Sequence, residues 1–275
     1  MRLNKYIGES GRCSRREADA LIEAGRVTKN GEPATLGMQV EDGDEIRVDG
    51  ELVGPARKLE APVYIALNKP LGITCTTDRR VDGNIVDFVG HDERIFMIGR
   101  LDKFSMGLIL LTNDGDIVNE VLRAAHGHEK EYVVDVERPY SREFIRAMGN
   151  GVDLGDAVTQ PCKVRKLAPN RFAIVLTQGL NRQIRRMCEA LGYRVTRLER
   201  VRIMHIRLGD LPRGKWRDLT PDEVAGLAPP PERRGRWQPA GPPKSAAEPA
   251  KSPNAGSNAR AASRSKRRPT LTGRR

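Results

Sequence analysis

Two stretches of the 275-residue sequence hold side chains whose type and spacing could do chemistry. The first begins Gly99-Arg100-Leu101-Asp102-Lys103-Phe104-Ser105-Met106-Gly107 and continues through Leu108–Leu111 to Asn113-Asp114-Gly115. It reads as a strand end, a loop presenting Asp102, a buried strand and an Asn-Asp-Gly turn into a helix. An aspartate between basic neighbours suits a surface ion pair as well as a reacting carboxylate, and spacing alone leaves both open. The second stretch runs from Gln178 to Gly192. Ile184, Met187, Cys188 and Leu191 recur there at i, i+3, i+4 and i+7, the stripe of an amphipathic helix. Asn181 suits its N-cap and Gly192 its closing position. Arg182, Arg185 and Arg186 then stand at the first turn, where the helix dipole disfavours exposed cations by about 0.3–1 kcal/mol each. Three together ask for an anion, either a protein carboxylate or an RNA phosphate, unless the face is merely solvated.

Other chemistry finds less support. His126-Gly127-His128-Glu129 offers metal-like donors, but no Cys or third His accompanies them, so no metal is expected. There is no GxxxxGK(S/T) or GxGxxG loop and no GxSxG elbow. A hydrolase built on paired carboxylates would need a second acid matched to Asp102, and none stands at a convincing position. Cys13, Cys75, Cys162 and Cys188 form no CxxC pair, so reduced thiols in a cytoplasmic setting are expected.

The elements that must position these stretches follow from the pattern on either side. Leu3, Tyr6 and Ile7 fall at helical spacing. Ser14-Arg15-Arg16-Glu17 is a capping box, ahead of a stripe of Ala18, Leu21 and Ile22 that Gly25 can close. From Val27 the chain turns strand-like, with Asn30-Gly31, Asp42-Gly43 and Asp49-Gly50 as tight turns. Gly54 and Pro55 mark a linker near 53–60. Beyond it, strand-like runs (Val63–Leu67, Ile109–Leu111, Tyr132–Val136, Phe172–Leu176) alternate with short helices (Ile117–Arg123, Arg142–Met148, Arg182–Leu191). The spacing is too irregular for a doubly wound array, so an α+β domain is expected. The expected organisation is a small unit over 1–60, a larger domain over 61–228 and a disordered basic tail over 229–275.

The formal net charge of +12 is unevenly spread. Residues 229–275 hold twelve Lys or Arg and two Glu, a net of +10, in a Pro, Ala, Ser and Gly background that cannot offset its chain entropy. Such a tail would either attract phosphate backbone or simply keep the chain in solution. The preceding 228 residues net only +2, so a nucleic-acid site there needs local clustering. Residues 171–207 supply it, with nine Arg against Glu189 and Glu199. Arg2, Lys5, Arg12, Arg15 and Arg16 form a second group on the first two helices. No apolar run approaches the roughly 20 residues that span a bilayer, and no secretory h-region opens the chain.

On these residues the sequence resembles the bacterial pseudouridine synthases of the small-subunit and large-subunit rRNA group, the RsuA/RluB/RluF family. The N-terminal unit resembles an S4 RNA-binding domain through Arg2-Leu3-Asn4-Lys5, Ser14-Arg15-Arg16, Ala18, Val27, Asn30-Gly31 and Gly43-Asp44. Asn68-Lys69-Pro70-Leu71-Gly72 is similar to the first catalytic-domain motif, Gly99-Arg100-Leu101-Asp102 to the second, Lys130-Glu131-Tyr132 to the third and Asn181 to Met187 to the last. The likeness covers residues 1 to about 225. Its large-subunit, F-type branch is most resembled, through His128–Tyr132, Gln178–Glu189, Trp216–Thr220 and the basic tail. Phe104 and Met106 depart from residues common in the family.

The resemblance implies a mixed, mainly antiparallel sheet behind the S4 unit, and isomerisation of uridine to pseudouridine without metal or organic cofactor. It makes Asp102 the reacting carboxylate, as nucleophile or as base, with Arg185 paired to it and Tyr132 stacked on the flipped uracil. Arg2, Lys5, Arg12, Arg15, Arg16, Lys69, Arg100, Lys130, Arg182 and Arg186 are implied to bind RNA. The implied substrate is large-subunit rRNA, as a precursor or assembly intermediate, with a tRNA anticodon loop as a further one. A cytoplasmic monomer away from membranes is expected. The competing class is a non-catalytic S4-type protein, which would have no use for Asp102, Tyr132 and Arg185 together.

Overall fold

The computed structural model describes residues 1–54, 62–122 and 127–227. Most of the expected linker, His126 and the expected tail over 229–275 lie outside these residues. In the N-terminal unit, helix α1 (Leu3–Glu9) is followed by α2 (Arg15–Glu23). The expected capping box forms: the Glu17 amide donates to Ser14 Oγ at 3.2 Å, and the Ser14 amide donates to the Glu17 carboxylate at 2.7 Å. Strands β1 (Val27–Lys29), β2 (Glu32–Pro33), β3 (Ile46–Val48) and β4 (Glu51–Leu52) form a sheet in the order β2-β1-β3-β4. At Asn30-Gly31 and Asp49-Gly50 both central residues take positive φ, the type I′ geometry that matches strand twist. Leu3, Ile7, Ala18, Ile22, Val27, Ile46 and Val48 pack as one buried cluster between helices and sheet.

The larger unit runs β5 (Tyr64–Lys69), α3 (Ile85–Val89), β6 (Phe96–Ile98), β7 (Met106–Thr112), α4 (Gly115–Leu122), β8 (Lys130–Val136), α5 (Arg142–Asn150), β9 (Lys163–Ala168), β10 (Arg171–Leu176), α6 (Gln183–Ala190), β11 (Val195–Ile203), β12 (Ile206–Arg207), β13 (Trp216–Asp218) and α7 (Pro221–Ala225). Its sheet is ordered β13-β5-β7-β11-β8-β10-β9, with β6 also on β7 and β12 on β11. Among the described strands only β7 and β11 pair in parallel. The architecture is α+β, as expected. β5 and β7 are buried along their whole lengths, which is why they read as continuous apolar runs. Between β7 and β11 the backbones come too close for a side chain: a Cβ on Gly107 would lie 2.3 Å from the Arg200 carbonyl oxygen, and Gly107 has φ +98°.

The two units touch through polar groups. Lys5 Nζ meets Asp116 at 2.7 Å, and Arg94 donates to the Cys13 carbonyl at 3.0 Å. Among the described residues no helix is long and apolar enough to cross a membrane.

Candidate active site

Asp102 sits in the seven-residue connection between β6 and β7, which pair antiparallel from Phe96↔Thr112 to Ile98↔Leu110. Buried Leu101 anchors the loop in the core beside it. The rest of the loop is held through its backbone. The Leu101 amide donates to Cys75 Sγ at 3.4 Å, Gly72 N donates to the Lys103 carbonyl at 2.9 Å, and Ser105 N donates to the Asp102 carbonyl at 3.0 Å. Cations complete the frame. Lys69 Nζ donates to the carbonyls of Ser105 (2.8 Å) and Pro70 (2.9 Å), and Arg185 Nη2 to that of Phe104 (2.6 Å). Arg200 donates through Nε to Leu108 (2.7 Å) and through Nη1 to Arg100 (3.5 Å). The carboxylate is therefore presented by a loop with few degrees of freedom left.

A cavity of about 340 Å³ opens beside Asp102. That is the lower end of the ~300–1,000 Å³ typical of small-ligand sites. Lys130 and Tyr132 line it from β8; their i, i+2 spacing puts both on one face of the strand. Arg200, opposite Tyr132 in register, lines it from β11, and Arg100, Arg182 and Gln183 line it from the flanking loop and helix. Asp102 is the one carboxylate among these described lining residues. Burial lowers the Lys130 ammonium below its ordinary range, and the neighbouring Arg200 adds to the effect.

Two sequence expectations need correcting here. Lys69, expected on the RNA surface, is fully buried, with its ammonium spent on backbone carbonyls. Burial lowers its pKa, with the Arg200 charge acting in the same direction against the opposing pull of Asp102. Arg185 lies in the field of Asp102 but forms no ion pair with it; its guanidinium grips the loop two residues further on instead. A third correction is local. The N-cap of α6 is Arg182, in left-handed conformation at φ 49°, rather than Asn181. The Gln183 side chain accepts from Leu180 N at 3.1 Å and closes the turn in its place.

The remaining cations divide into paired and open. Arg186 pairs with Asp156, so a protein carboxylate answers part of the charge at the α6 start. Lys5 pairs with Asp116 and Glu9, Arg12 with Glu51, and Arg15 approaches Glu9 at 3.9 Å. Arg2, Arg16, Arg100 and Arg182 are exposed and make no ion pair among the described residues. Sequence reasoning counted Arg200 only as one of the nine Arg over 171–207 and did not single it out, yet it is 3% exposed and lines the cavity. Its signal was available: Arg200 follows Leu198 at the two-residue period of an inward strand face.

Comparison with known proteins shows the family. Residues 63–190 match the family described as RNA pseudouridylate synthase, and residues 1–46 match the S4 domain. The chain is 59% identical over 227 residues to the dual-specificity RNA pseudouridine synthase RluF of Escherichia coli K12, covering 82% of this chain and 78% of that one. It is 37% identical over 235 residues to the ribosomal large subunit pseudouridine synthase B of Bacillus subtilis, covering 82% and 95%. A crystal structure of a pseudouridylate synthase superposes with a TM-score of 0.60 at 31% identity, covering 83% of this chain and 100% of that one.

Proposed function

This chain belongs to the RNA pseudouridylate synthase family and isomerises uridine to pseudouridine in RNA, and we propose that Asp102 is the carboxylate that carries the reaction. The supporting observation is that Asp102 is the single acid among the described residues lining the cavity, whose largely apolar wall also carries Arg100, Lys130, Arg182, Arg200 and Tyr132. The isomerisation breaks the bond between N1 and C1′, turns the uracil and rejoins it through C5, with the C5 proton lost and one gained at N1. Atoms and electrons balance within the nucleoside. A carboxylate held against C1′ can attack it or take the neighbouring sugar proton, and either role opens the glycosidic bond. Tyr132 stacks on the flipped uracil. Arg185 acts by fixing the Phe104 carbonyl, which keeps Asp102 in place.

The RNA is held by Arg100, Lys130 and Arg182 around the cavity, by Arg186 in the first turn of α6, and by Arg2, Lys5, Arg12, Arg15 and Arg16 on the S4 domain. Large-subunit rRNA is the proposed substrate, on the likeness to relatives named for ribosomal and dual-specificity synthesis. A tRNA anticodon loop is the proposed second one. A precursor or assembly intermediate suits extrusion of the base, because flipping costs least where the RNA is not yet packed. The protein is proposed to act as a cytoplasmic monomer away from membranes.

Asp102→Asn tests the assignment. It is expected to abolish tritium release from 5-tritiated uridine in rRNA while RNA binding stays nearly intact; normal turnover would remove Asp102 from the mechanism. Mapping pseudouridine in RNA from cells with and without the gene identifies the uridine, and an unchanged rRNA map would overturn the proposed substrate.

A further inference from the structure

The Asp102 loop carries an aromatic ring that the reaction above leaves unused. Phe104 is 65% exposed, and Leu71, on the adjacent loop, is 51% exposed. The two loops are tied by the hydrogen bond from Gly72 N to the Lys103 carbonyl. The backbone under Phe104 is fixed: Arg185 donates to the Phe104 carbonyl at 2.6 Å, and Lys69 to that of Ser105 at 2.8 Å. A phenyl ring is thus kept in water two residues from Asp102, next to Ser105 of the cavity wall. Exposed Arg100, Lys103 and Arg182 belong to the same rim and make no ion pair among the described residues, whereas Lys5, Arg12 and Arg186 do. An apolar ring among unpaired cations suits a polyanion that also offers flat apolar faces.

We propose that Phe104, with Leu71 beside it, is a stacking platform for a base next to the target uridine, and so helps determine which RNA site is accepted. The proposal rests on the reading of the cavity as the pocket of the flipped base. When that base leaves its stack, its neighbour loses a stacking partner, and an exposed ring on a backbone already held at the rim can replace it. Base–aromatic stacking of this kind is worth about 1–3 kcal/mol, or roughly 5- to 150-fold in affinity.

The test compares wild type, Phe104→Ala and Phe104→Trp on one synthetic stem-loop around the uridine that the wild-type enzyme converts, with 2-aminopurine on one or the other side of it. Phe104→Ala should raise KM about tenfold or more and leave kcat and thermal melting close to wild type. Phe104→Trp should restore KM and quench the 2-aminopurine on the stacked side. A wild-type KM in Phe104→Ala overturns the platform, as does a Phe104→Trp protein that neither restores KM nor quenches. Asp102→Asn run in parallel separates the two readings. If it converts the uridine normally, the cavity assignment fails; if it is inactive while Phe104→Ala behaves as wild type, only the platform fails.

Discussion

Lys69 donates to backbone carbonyls with no carboxylate partner among the described residues, and the ends of two loops depend on it. Removing it takes a donor from the part-buried Pro70 carbonyl and from the buried Ser105 carbonyl, the latter at a cost of about 1–3 kcal/mol. Lys69→Met is therefore expected to lower the melting temperature and to reduce kcat more than RNA affinity; an unchanged melting temperature would show that the loop needs no such support. At this scale the sequence was half legible. The identities of the cavity residues followed from ordered motifs, because the side chains that touch a substrate are constrained in type. Their partners did not, because a lysine that binds carbonyls and a lysine that binds phosphate look alike in one dimension. In the structure Lys69 ends the buried strand Tyr64–Lys69, two residues beyond the strand-like run Val63–Leu67 read from the sequence.

At the scale of elements, the clearest test is the contact between β7 and β11. Gly107→Ala would place a Cβ 2.3 Å from one backbone atom of Arg200 and 2.8 Å from another, in a backbone conformation that alanine rarely adopts. The strands must part, carrying Arg200 away from the Asp102 loop. A loss of several degrees in melting temperature and of most activity is expected, and near-wild-type values of both would refute the packing argument. The N-terminal sheet allows a pH test. Asp44 is held at about 2, below its ordinary 3.8, by the Glu41 amide first and then by Lys29 and Asn30. A carboxylate depressed in the folded state adds stability above its unfolded pKa and loses it as pH falls through the folded one. Asp44→Asn should thus flatten the decline in thermal stability between pH 4 and 2, measured by melting at each pH. Hairpins and the capping box were legible because Asn-Gly, Asp-Gly and Ser-x-x-Glu act within four residues. The α6 cap was not, because Gln183 closes that turn from inside the helix.

For the whole molecule, the sequence separated a nearly neutral body from a tail of net +10, and the consequence is measurable. Deleting residues 229–275 is expected to weaken RNA binding and to reduce the slope of log affinity against log salt. An unchanged slope would make the tail irrelevant to binding. Strand order across the sheet was illegible in advance, since it depends on pairings between residues up to 153 apart rather than on local pattern. That order has a consequence for synthesis. β11 lies between β7 and β8 and is among the last strands to leave the ribosome. Until it arrives, a nascent chain has the β5-β7 and β8-β10-β9 halves with nothing to join them, each showing a bare strand edge of the kind that recruits chaperones or neighbouring chains. The proposed active site should therefore form in a single late step, and a chain stalled before Val195 should be both inactive and unusually prone to aggregate.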